Sequence, residues 1–248
     1  MKAYNIFKFL GQADNALRRS LGVVPQRQEP SRGPAGREKH YIDSLDTLDR
    51  VYGPCDTACV NDKSFSMSTN DCRPSRIEAS KRAAQQYIMR RAESSPQDRI
   101  ALVSFSEYAQ VVLPLTNICD TATITKALKG LHAGGGTDIN EGLEAAERIL
   151  FEDRSRDVQD DRLKRILLLT DGHGGHPVRT ARKLKSYGVL IEVIGIGGDP
   201  SAVNEKLLRK VATTDSYGTH YWFFRDTDSL VAHYDNLATG IVFRGHDR

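Results

Sequence analysis

Three short segments far apart in the chain carry two carboxylates and three hydroxyls suited to one hard divalent cation. They are Asp62-Lys63-Ser64-Phe65-Ser66, Gly134-Gly135-Gly136-Thr137-Asp138 and Thr170-Asp171-Gly172. Such a cation takes oxygen ligands, and Mg²⁺ in particular holds near-octahedral geometry while keeping part of its water shell. Five side-chain oxygens leave room in that shell for a ligand's carboxylate. Each segment alone is a common loop sequence; their setting is what joins them. Ile166-Leu167-Leu168-Leu169 runs straight into Thr170-Asp171, which puts Asp171 at the carboxyl end of a buried strand. Open α/β sheets bind ligands at that edge.

In this order and setting the three segments resemble the von Willebrand factor A domain. Its metal-ion-dependent adhesion site (MIDAS) reads Asp-x-Ser-x-Ser, then a Thr, then an Asp. The resemblance covers residues 55 to 243 and includes Ile100-Ala101-Leu102-Val103-Ser104-Phe105-Ser106, Leu113-Pro114-Leu115-Thr116 and Gly195-Ile196-Gly197. It implies an α/β fold: a doubly wound, mostly parallel sheet with helices on both faces. It also implies metal positions at Asp62, Ser64, Ser66, Thr137 and Asp171, with a ligand-contacting rim of Phe65, Gly136, Gly172 and His173. The implied ion is Mg²⁺ or Mn²⁺. The implied function is non-enzymatic capture of a protein partner's Asp or Glu carboxylate, and ATPase-containing assemblies are among the partners of cytosolic family members.

The elements that must position these residues are legible in outline. Ser75-x-x-Glu78 reads as a capping box for a helix ending near Ser94, with Ile77, Ala84 and Ile88 on its apolar face. Asp138 opens a second helix through Leu143, Ala146 and Leu150, and its N-terminal dipole favours an incoming carboxylate. Pro177 opens a third, with Gly188 as its stop. Between them lie β-rich runs at Ile100 to Phe105, Val111 to Leu113, Ile166 to Leu169, Val189 to Ile196 and Tyr221 to Phe224. Near-continuous apolar strands alternating with helices indicate a parallel sheet covered on both faces. The first strand, Asp56 to Asn61, is polar where the family has an aliphatic run.

Composition sets the class. With 39% hydrophobic and 27% charged residues in 248, the chain has enough apolar material for a core and lacks the long apolar run of a membrane span. Residues 1 to 40 hold eight Lys/Arg against three Asp/Glu, and the remainder holds 27 against 29. The basic character therefore belongs to the N-terminal extension. No interleaved aromatic and basic surface marks a nucleic-acid reader. The expected organisation is an amphipathic helix in residues 1–22, a Pro- and Gly-containing flexible linker in 23–50, and the domain in 51–248. The helix reads first as a docking element and second as a membrane-surface contact.

Cys55, Cys59, Cys72 and Cys119 lack zinc-site spacing. With no secretory signal pattern at the N-terminus, free thiols and a cytoplasmic location are expected, a redox role near the first segment being the second reading. Phe65 stands where a glycine often separates the two serines, either as a partner contact or packed on the Cys72 loop. Two rival functions remain. Asp171-Gly172-His173-Gly174-Gly175 resembles a motif of the metal-dependent Ser/Thr phosphatases, which use a β-sandwich and two metals. A metal-independent scaffold of the same fold is the other. His173 and His176 read as rim residues, since imidazole suits a softer ion than an oxygen cage selects.

Overall fold

The computed structural model describes residues 54–152, 162–216 and 218–239. The expected N-terminal helix and linker, and both ends of the expected 51–248 domain, lie outside these residues. The apolar runs become strands β1 (Cys55–Asp62), β2 (Arg99–Phe105), β3 (Ala109–Asn117), β4 (Leu163–Thr170) and β5 (Leu190–Ile196). Next come the short pair β6 (Thr214–Asp215) and β7 (Gly218–Thr219), then β8 (Tyr221–Phe224). Six of them form one sheet in the order β3-β2-β1-β4-β5-β8. All neighbours run parallel except β3, which returns antiparallel from β2 at one edge. This is the expected doubly wound α/β sheet.

The helices are α1 (Arg76–Ser94), α2 (Thr121–Lys129), α3 (Ile139–Phe151), α4 (Val178–Ser186), α5 (Glu205–Val211) and α6 (Thr227–Ala238). Side chains of α1, α2 and α6, among them Tyr87, Ile124 and Leu230, form one core with Cys59, Leu167 and Ile194 of the sheet. Leu143 of α3, Leu184 of α4 and Leu208 of α5 form the other with Val60, Leu168 and Val193. Alternation along each strand feeds both layers. Helices α2, α5 and α6 had no counterpart in the sequence expectations. Of these, α2 and α5 are short, with nine and seven residues, and packing against the sheet supplies much of their stability.

The polar first strand is the centre of the sheet, buried at all eight positions. Most of its polar side-chain atoms are matched by partners distant in sequence, the buried Asn61 Nδ2 being without one. Asp56 accepts from Arg99 at 2.8 and 2.7 Å and from Lys164 at 2.6 Å. Thr57 shares a hydrogen bond with Tyr87 at 3.2 Å, and Asn61 accepts from Ser80 at 3.2 Å. A buried polar group is tolerated when its hydrogen bonds are made, so polarity here does not weaken the strand assignment.

Because β1 leads to β2 on one side while β4 lies on its other side, the chain reverses direction of winding at the β1–β4 boundary. A crevice opens at such a switch point, outside the carboxyl ends of the strands. Asn61 pairs with Leu169 across that boundary, which places Asp62 and Thr170-Asp171 at the crevice. Among the described residues the six-stranded sheet is mostly parallel and covered by helices, and no β-sandwich of the kind the phosphatase reading requires is formed.

Candidate metal centre

Asp62 ends β1 with none of its surface exposed. Its Oδ1 accepts the Ser64 backbone N–H at 2.8 Å and its Oδ2 accepts the Thr170 hydroxyl at 2.6 Å, while that hydroxyl accepts the Gly172 N–H at 3.0 Å. Thr170, not singled out from sequence, thus links the first carboxylate to the loop of the second. The Ser64 and Ser66 hydroxyls lie 3.1 Å apart. Burial pushes the Asp62 carboxyl up to about 6; the Asp171 charge adds to this, and hydrogen bonds from Ser64 and Thr170 oppose it.

Backbone bonds bring the glycine segment onto the first. Gly134 N–H donates to the Lys63 carbonyl at 2.6 Å and Phe65 N–H to the Gly135 carbonyl at 3.0 Å. Asp138 caps α3 by accepting the Asn140 N–H at 2.9 Å, so Thr137 immediately precedes a helix N-terminus. The third segment closes over this loop. A Cβ on Gly174, whose φ is +114°, would lie 2.0 Å from the Thr137 carbonyl oxygen, and one on Gly175 would lie 2.1 Å from Asp138 Oδ1. The Gly-His-Gly-Gly run is therefore explained by close backbone approach. His173 turns away, its Nε2 2.7 Å from the Ala202 carbonyl, and His176 is exposed.

Asp171 is also buried. Its Oδ2 accepts from Arg76 Nη1 at 3.1 Å, and its Oδ1 has no hydrogen-bond partner. A carboxylate oxygen cut off from water without a partner is costly, and an ion or its water shell is the group that would satisfy it. Arg76 is the other residue missed from sequence. Its Nε and Nη2 donate to both oxygens of Asp71 at 2.9 and 2.6 Å, and these bonds, ahead of other effects, hold the Asp71 carboxyl below its ordinary range. Among the described residues, no three His, Cys, Asp or Glu side chains are grouped to hold a metal. The candidate donor set is therefore hydroxyl-rich, and His173 and His176 add nothing to it.

Two exposed aromatics stand at the same end of the sheet: Phe65, 75% exposed, and Tyr108, 77% exposed in the β2–β3 turn. Phe65 points to solvent, so it does not pack on the Cys72 loop. The turn is tied to the glycine loop, because the Asp138 N–H donates to the Ser106 carbonyl at 2.6 Å. The four cysteines are free. Three are buried, and burial pushes the Cys59 thiol up to about 12 and the Cys72 thiol up to about 11, which makes both poor nucleophiles. No helix among the described residues is long and apolar enough to cross a membrane.

Residues 57–173 match the sequence model of the von Willebrand factor type A domain. An uncharacterized protein of Synechocystis is 31% identical over 149 residues, a match covering 58% of this chain and 32% of that protein. The chain thus spans about a third of that relative's length. A von Willebrand factor type A structure from Catenulispora acidiphila is 25% identical, with a TM-score of 0.61, covering 76% of this chain and 43% of that one. Proximal thread matrix protein 1 from the mussel byssus, with zinc in its MIDAS motif, is 21% identical with a TM-score of 0.60, covering 75% of this chain and 48% of that one.

Proposed function

We propose that the von Willebrand factor type A domain in this chain is a divalent-metal-dependent protein-interaction module. Asp62, Ser64, Ser66, Thr137 and Asp171 would hold the ion, and a partner's Asp or Glu carboxylate would complete its shell. The observation that carries this reading is the buried Asp171 Oδ1 without a partner, at the switch-point crevice that Asp62 and the two serine hydroxyls share. The oxygen-only donor set fits Mg²⁺ or Mn²⁺. The zinc in the mussel protein's MIDAS motif supports metal binding at such a site without selecting the ion. Bound there, the ion would supply a positive charge to which an anionic side chain docks, a binding role needing no chemical turnover. Exposed Phe65 and Tyr108 then flank the docked carboxylate and supply apolar contact area, and the protein acts as an adaptor.

The test is calorimetric titration of Mn²⁺ and Mg²⁺ into metal-stripped protein, wild type against Asp171→Ala. One saturable site, lost in the variant, supports the reading. A site that survives Asp171→Ala, or none in the wild type, leaves the metal-independent scaffold as the better account.

A further inference from the structure

We infer that Arg76 is a built-in counter-cation of the metal centre, stabilising the two buried carboxylates when no ion is present and lowering the affinity of any ion that enters. The inference rests on the metal reading above and adds a device that tunes it. Asp62 and Asp171 are buried side by side at the carboxyl ends of neighbouring strands. Two such charges in a low-dielectric crevice repel, and each loses its hydration. Arg76 Nη1, itself buried, stands 3.1 Å from Asp171 Oδ2 and offsets part of that cost.

The arginine is fixed in place. Asp71 grips the other edge of the guanidinium with both oxygens, a forked geometry that lysine does not reproduce. Asp71 is in turn held by the Gly198 N–H at 2.7 Å. Arg76 uses only one oxygen of Asp171, so the other is left without a partner. The same fixed positive charge that steadies the empty site repels a divalent ion. A clamp serving only to join the Asp71 and Gly198 loops would need no bond to Asp171.

The experiment measures metal-free thermal unfolding and Mn²⁺ calorimetry on the full chain. The variants are Arg76→Gln, Arg76→Lys, Asp171→Asn and the Arg76→Gln/Asp171→Asn pair. Arg76→Gln is expected to lower the metal-free Tm, with Asp171→Asn restoring most of the loss. It should also bind Mn²⁺ about tenfold tighter, as removal of a nearby like charge predicts, while Arg76→Lys, which keeps the charge but loses the fork to Asp71, falls between the two. Equal or weaker Mn²⁺ binding by Arg76→Gln, or simply additive Tm losses in the pair, overturns the inference. Should Arg76→Gln not fold, Asp71→Asn reads the same balance. With the guanidinium charge no longer offset, Mn²⁺ binding weakens several-fold, and unchanged binding overturns the inference. If neither wild type nor Arg76→Gln binds Mn²⁺, the metal reading itself falls, and the unfolding results alone decide whether Arg76 is a counter-ion.

Discussion

Thr137 bears one of the three hydroxyls in the proposed shell, and its removal separates a metal site from a scaffold. Thr137→Ala deletes one ligand atom and little else, so Mn²⁺ affinity should drop by about tenfold or more while Tm in the metal-free state stays within a degree or two, since a partly exposed substitution costs about 0.5 kcal/mol or less. Unchanged affinity in calorimetry would remove Thr137 from the site. Phe65 and Tyr108 should act differently, because their exposed side chains are not among the proposed donors. Their alanine variants should leave Mn²⁺ affinity unchanged and weaken binding of an acidic partner, which titration with metal-loaded protein reads directly. At this scale the sequence was informative for the ligand types, because Asp-x-Ser-x-Ser, Thr and Asp are chemically distinctive. It was silent on Arg76 and Thr170. Their roles come from hydrogen bonds to residues 95 and 108 positions away, which no local pattern encodes.

At the scale of elements, the loop after β4 shows how packing decides meaning. Gly172-His173-Gly174-Gly175 resembles a phosphatase motif in sequence, while in the fold Gly174 and Gly175 are accounted for by close approach to Thr137 and Asp138. Gly174→Ala would force a Cβ into the Thr137 carbonyl at a φ of +114°. The loops must then separate, at a cost on the order of 2–4 kcal/mol, so Tm should fall by several degrees and Mn²⁺ binding should weaken with it. A Gly174→Ala protein with wild-type Tm would refute the close approach. The cap of α1 is a milder case. Ser75 Oγ accepts the Glu78 N–H at 3.3 Å, and Ser75→Ala should cost about 1 kcal/mol in denaturant unfolding. That helix was legible from its capping box, and α3 from Asp138, because both start signals are local. Helices α2, α5 and α6 carry local signals of the same kind, though they were not among the sequence expectations: the caps Asp120, Asn204 and Asp226 are followed by apolar residues such as Ile124 and Leu128, Leu208 and Val211, and Leu230 and Tyr234.

Across the whole molecule, a buried polar group on the α1–α6 side of the sheet links folding to pH. The Arg165 Nε lies 3.3 Å from Glu192, and His220 lies between Glu192 and Asp215. The His233 ring packs against Trp222 and Phe224, with Tyr234 beyond. Burial lowers the His233 pKa to about 4, against a smaller opposing effect of Glu192. Its folded value is below its unfolded one, so the stability it contributes is complete above about 6.5 and is lost as pH falls toward 4. His220 is also pulled down by burial, but Glu192 and Asp215 outweigh this and raise it. Its contribution is complete below the unfolded value and lost as pH rises through the folded one. Replacing His233 by Phe removes only the first effect. Between pH 7 and pH 4.5, wild type should lose on the order of 2 kcal/mol more than His233→Phe, and parallel stability curves would contradict this.

The alternation of apolar strands with capped helices was enough to indicate a parallel α/β sheet covered on both faces, because periodicity and caps are local properties that each segment carries with it. The donor types of the candidate site were likewise set by residue chemistry. The tertiary structure alone decided that polar β1 lies at the centre of the sheet, and that winding reverses between β1 and β4. It also decided that a buried guanidinium shares Asp171 with the crevice. Each of these depends on partners far apart in the chain, where burial and hydrogen-bond satisfaction outweigh any local preference.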